Sequence, residues 1–233
     1  MHRDTALILC SHGVNGMPGA AADHAARLRE RRLFADVTAA CLSGTPEIGA
    51  VIDAVTAARI VVVPFLMAAG RAFNAKLPKR IAQSRHADRV SLAEPLGTHP
   101  EIAALIDSKA AALASARGWS PGNTLLVIAA HGTARDPASG VAARAHAMQI
   151  AHRRQFAAVE AGYLDEAPSI ASLLVGRTAR HAIGVGLFAD AGPHGGGDAA
   201  APFRSDPDAA YGGPIGPDPE LALIVLKRAA EAI

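Results

Sequence analysis

Leu125–Thr133 reads LLVIAAHGT: four large apolar residues, two alanines, then His131 and Gly132. An apolar run of this length bounded by turn chemistry predicts a strand buried on both faces. His131 falls where that strand ends. In open α/β sheets, ligands bind at the carboxyl ends of the strands, so His131 stands where chemistry is usually done. Gly132 lets the backbone turn sharply beside it.

The phrase occurs twice. Ala6–Gly13 reads ALILCSHG, with His12 and Gly13 in the matching places. Pro46-Glu47-Ile48 matches Pro168-Ser169-Ile170, and VVVPFLMAAG, ending at Gly70, matches GVGLFADAG, ending at Gly192. Pro95-Leu96-Gly97, before Pro100-Glu101, matches Pro214-Ile215-Gly216, before Pro219-Glu220. Landmarks recurring in one order at a nearly constant offset mean a duplicated domain, since solenoid repeats have far shorter periods.

At 233 residues the chain has room for two small domains. Half of it is hydrophobic, so a sizeable core is expected although only 4% is aromatic. A net charge of +2 does not point to nucleic acid. No apolar run is long enough for a transmembrane helix, and no signal peptide precedes the first strand. The expectation is a cytoplasmic protein without a membrane or nucleic-acid partner, monomeric or homodimeric. Cys10 and Cys41 both fall in predicted strands and read as buried thiols.

Strands alternate with helices along the chain, which implies right-handed crossovers and parallel sheets. The first half reads as strands over 6–11, 35–42, 59–67 and 89–93. Helices are expected over 20–32, 46–58, 72–84 and 101–117, with Thr45 capping the second of these and Pro46 at its first position. Gly118–Asn123 is turn-rich, and the expected domains are 1–118 and 119–233. The second half repeats the pattern through strands near 124–130, 156–164 and 181–188. Asp190–Pro217 is rich in glycine, proline and alanine and reads as a long loop. The expected fold is therefore α/β, two similar domains, the first sheet four-stranded and the second possibly three-stranded.

Three strand ends of the second half carry candidate ligands: His131, then Asp165-Glu166, then His194 beyond Gly192-Pro193. Ends of parallel strands share one sheet edge, so these groups can converge. Two imidazoles and a carboxylate suit a divalent first-row metal, and imidazole also takes protons near neutral pH. The first half has His12, but Ser43-Gly44 stands at the acidic position and Ala72 at that of His194. One working site, in the second half, is expected. His24, His146, His152 and His181 read as structural, His99 as a cap, and Asp198, Asp206 and Asp208 as solvating the loop.

The strand ending Ser11-His12-Gly13, the Pro64–Gly70 stretch with Pro78 beyond it, and Glu94–Pro100 resemble the CbiX/SirB group of sirohydrochlorin chelatases, class II tetrapyrrole chelatases. The resemblance covers nearly all of the first half and the second half more loosely. It implies two α/β domains facing across a cleft that takes a planar tetrapyrrole. Co2+ or Fe2+ would be inserted as substrate, without ATP or an organic cofactor. It further implies metal or proton handling by His131, His194 and His12, with Asp165 or Glu166 as the acidic partner. Arg71, Lys76, Lys79, Arg80 and Arg135 supply positive charge for a polyanionic substrate, with Arg71 and Arg135, alongside His12, the substrate-binding candidates. Pro193 departs from the family pattern, and the helix expected after that loop is missing from the sequence reading. The alternatives are a non-catalytic tetrapyrrole- or metal-binding carrier and, last, a transferase or hydrolase, for which no nucleophile–base pair is visible.

Overall fold

The seven residues Thr5–Ser11 are buried without interruption, as are all of Thr124–Ala130. Strands covered on both faces must be apolar throughout, and these two lie inside their sheets. The computed structural model describes residues 2–133 and 138–233. The chain divides into two units, Met1–His99 with Pro219–Ile233, and Pro100–Asp218.

In the first unit β1 (His2–Ser11), α1 (Ala20–Glu30), β2 (Phe34–Cys41), α2 (Ile48–Ala54), β3 (Arg59–Pro64), α3 (Leu77–Ala82) and β4 (Val90–Leu92) follow in order. The strands form a four-stranded parallel sheet, β2-β1-β3-β4. One face packs Ile8, Ile60 and Val62 against Ile48, Ile52, Leu77 and Ile81 of the helices. Cys10 and Cys41 are free, buried thiols; burial raises the pKa of both.

The cap of α2 differs from the sequence reading. The Pro46 carbonyl accepts the Cys41 amide at 2.8 Å, and Glu47 is extended in a bridge beside the end of β2. The helix therefore starts two residues later. The Glu47 carboxylate caps it, accepting from the amides of Gly49 and Ala50.

The second unit contains α4 (Glu101–Arg117), β5 (Thr124–Ala130), α5 (Ala138–Ala151), β6 (Ala158–Tyr163), α6 (Ile170–Gly176), β7 (His181–Gly186), α7 (Ala201–Arg204) and β8 (Ala209–Pro214). Its sheet, β6-β5-β7-β8, is again four-stranded and parallel. The last helix, α8 (Leu221–Glu231), belongs to the first unit. The units thus differ from the division at residue 118. Each half of the chain gives its final helix to the other's unit, although Gly118, with φ of 67°, does end α4 as the turn chemistry implies. No helix of the described residues is long and apolar enough to cross a membrane.

The stretch read as a long loop is ordered structure. Pro193–Asp198 forms a π-helical turn, α7 follows it, and β8 pairs in parallel with β7 from Ala182↔Ala209 to Gly186↔Pro214. Small residues make this possible. A Cβ on Gly184 would stand 2.3 Å from the Phe203 ring, so the bare backbone of β7 is the seat on which α7 packs. The ring of Phe203 stacks on that of Tyr211, 5.6 Å away.

Candidate active site

The duplication extends to single hydrogen bonds. Ser43 N donates to His12 O, and Asp165 N donates to His131 O, both at 3.0 Å. Asn74 N bonds Gly70 O, and Gly196 N bonds Gly192 O. Leu77 N closes the first π turn on Ala72 O, as Ala199 N closes the second on His194 O. Residue equivalences follow: His12 with His131, Ser43 with Asp165, Ala72 with His194 and Lys76 with Asp198.

In the second unit, His131 directly follows β5 and the π turn after β7 carries His194. Their ring centroids are 4.8 Å apart, edge to face at 71°. The His131 Nδ1 lies 2.8 Å from the Gly132 carbonyl and 3.4 Å from Asp165 Oδ2. A carbonyl only accepts, so Nδ1 carries the proton and Nε2 of the neutral ring carries the lone pair. His194 differs in its partner: its Nδ1 bonds a carboxylate directly, with Asp198 Oδ2 2.9 Å away. A backbone carbonyl or a carboxylate behind the imidazole is the usual outer support of a metal-binding histidine, fixing tautomer and ring orientation; His131 has the carbonyl with Asp165 nearby, and His194 has the carboxylate. All four side chains are between 44% and 62% exposed. Pairs so solvated add little to stability, so their arrangement bears on chemistry more than on folding.

Of the two acidic candidates, Asp165 is the one that reaches His131. Glu166 is occupied otherwise: it accepts the Thr133 amide at 3.0 Å and the Arg144 guanidinium at 3.3 Å. Arg144 also donates to the Tyr163 hydroxyl. Gly132 is required here. Its φ is +64°, and a Cβ would fall 2.6 Å from Glu166 Cγ.

Asp198 and Tyr211 were not legible as site residues. Asp198 sits four residues after His194, a spacing that joins side chains on one face of a helical turn, but the glycines around it mask that turn in the sequence. The Tyr211 hydroxyl donates to the Gly195 carbonyl at 2.6 Å and so holds the turn that carries His194.

His12 is exposed at the end of β1; partial burial, and then the nearby Lys76 ammonium, lower its pKa. Arg71 is exposed just before the first π turn, and Arg135 lies outside the described residues. His24 is buried against Phe65, and His181 stacks on Trp119 with centroids 4.5 Å apart. His99 is buried, 3.5 Å from Glu231. Among the described residues no group of three or more His, Cys, Asp or Glu side chains forms a ready ion cage. A cavity of about 710 Å3 in the second unit, between Arg117, Arg204 and Tyr211, reaches Gly196 of the His194 turn but is lined by neither His131 nor His194.

The sequence pattern of the CbiX family matches residues 6–113 and again 125–232. This chain belongs to the CbiX family. The two matches cover the two repeats, so each half of the chain is a CbiX module. A probable sirohydrochlorin cobaltochelatase of Halobacterium salinarum is 26% identical over 267 aligned positions, covering 97% of this chain and 91% of that protein. A CbiX structure, described as the terminal enzyme for biosynthesis of siroheme in denitrifying bacteria, is 28% identical. It superposes with a TM-score of 0.77 over 98% of this chain and 99% of that one. DR2241 of Deinococcus radiodurans, a multi-domain protein with structural similarity to chelatases, is 25% identical with a TM-score of 0.79. It covers 97% of this CbiX chain, which spans 54% of that longer protein.

Proposed function

We propose that this CbiX chain is a sirohydrochlorin chelatase that inserts Co2+ or Fe2+ into the macrocycle. The observation that carries the reading is the His131–His194 pair, each ring backed by a carboxylate at its Nδ1. Insertion removes two N–H protons from the macrocycle and strips water from the ion. Neutral imidazoles suit both tasks, since the Nε2 lone pair can ligate the metal or accept a proton. Two protein ligands rather than a closed cage suit an ion that is substrate, because it must leave for the macrocycle nitrogens. Imidazole serves cobalt and iron alike, so the choice of metal rests on the comparison of rates.

The test is a metallation assay of the purified protein with sirohydrochlorin and Co2+, Fe2+ or Ni2+, followed by absorbance. Acceleration over the protein-free rate with Co2+ or Fe2+ is expected. A spectral shift of bound macrocycle without acceleration would instead identify a carrier.

The carboxylates separate by role in the same assay. Asp198→Asn and Asp165→Asn should each slow metallation by about 10- to 100-fold, the usual cost of losing an outer-shell partner, with little change in melting temperature. Glu166→Ala should act on stability, by about 0.5–1.5 kcal/mol, because it strips the half-buried Thr133 amide and a guanidinium of their acceptor. Should Asp165→Asn be silent while Glu166→Gln, melting like the parent, abolishes turnover, the acidic role would pass to Glu166.

A further inference from the structure

We infer that the strand-end pocket of the first unit is a binding site for carboxylate groups, built where the second unit keeps its carboxylate-backed histidines. The inference rests on the reading of the substrate as a carboxylate-bearing macrocycle. The pocket has a volume of about 390 Å3 and is lined by Leu42, Ser43, Lys76, Lys79, Arg80 and Gln83. That is room for carboxylate arms and not for a whole tetrapyrrole.

Its charge is the reverse of the second unit's. Ser43 replaces Asp165, Ala72 replaces His194, and Lys76 replaces Asp198 at the same closing position of the same π turn. Lys76, Lys79 and Arg80 are spaced to share one helical face. Arg80 is partly offset by Glu47, 3.7 Å away. Lys76 and Lys79 form no ion pair with a carboxylate among the described residues. Like charges held side by side repel, and a carboxylate from outside relieves this. The Ser43 hydroxyl is a neutral donor that an anion can use. Beside Lys76 rather than a carboxylate, His12 lacks the support that orients a metal ligand.

The experiment compares the parent with the Lys76→Gln/Lys79→Gln double variant, using Arg31→Gln as a control that removes charge elsewhere. Each is titrated with metal-free sirohydrochlorin and, separately, with citrate at fixed ionic strength. Loss of about tenfold in affinity is expected for the double variant only, the weight of one charge-assisted contact. Weakening confined to the macrocycle assigns the pocket to its carboxylate arms; weakening of citrate as well makes it a general polycarboxylate site. Unchanged affinity for both, or an equal loss in Arg31→Gln, overturns the proposal. If the parent does not metallate sirohydrochlorin yet the double variant loses citrate, the chelatase reading fails and the anion site stands.

Discussion

His131→Ala and His194→Ala should each lower the rate of metal insertion by about 100- to 10,000-fold, the range expected when a group that moves protons is removed. His12→Ala should have the smaller effect. The order follows from surroundings. His131 and His194 stand 4.8 Å apart, and each has a carboxylate at Nδ1. His12 has Lys76 nearby, and its two equivalent acidic positions hold Ser43 and Lys76 itself. Because the side chains of His131 and His194 are substantially exposed, truncation should change stability by no more than about 0.5 kcal/mol. Initial rates with saturating sirohydrochlorin and Co2+, paired with melting curves, make the check. Full activity in His131→Ala would remove the second-unit site from consideration.

The repeat made most of this legible. Strand ends, the two His-Gly turns and the unequal equipment of the halves are all read from residues 6–13, 125–133 and the matched Gly70 and Gly192. What escaped depends on packing. Glu101–Arg117 buries Ile102, Ala103, Leu105, Ile106, Ala110 and Ala114. So broad an apolar surface does not reveal which sheet it covers, and the turn at Gly118, which separates the two repeats, does not show that the helix before it packs within the second unit. Asp165 and Glu166 are neighbours of one chemistry, and only the direction of each side chain separates them. Asp198 looked like loop solvation because Gly195-Gly196-Gly197 argues against a helical turn on propensity alone. The turn forms there with its i→i+5 bond closed by Ala199.

Phe203→Ala should destabilise the protein by about 3–5 kcal/mol, as expected for truncating a buried aromatic ring. Phe203 is 2% exposed, belongs to the core with Leu125, Val127 and Phe188, and stacks on Tyr211. At about 2–4 °C per kcal/mol for a chain of this size, the melting temperature should fall by roughly 6–20 °C. A residue in a solvated loop would cost less than about 0.5 kcal/mol, so the measurement separates the packed segment from the loop that its composition implies. Gly184→Ala probes the same contact from the other side. Its Cβ would press into the Phe203 ring, and overpacking of that kind costs about 1–3 kcal/mol. The consequence reaches the site through one bond. Tyr211, pinned beneath Phe203, donates its hydroxyl to Gly195 next to His194. Loosening the ring therefore loosens the turn that presents the second imidazole, and residual activity of Phe203→Ala, measured well below its melting temperature, should fall below that of the parent.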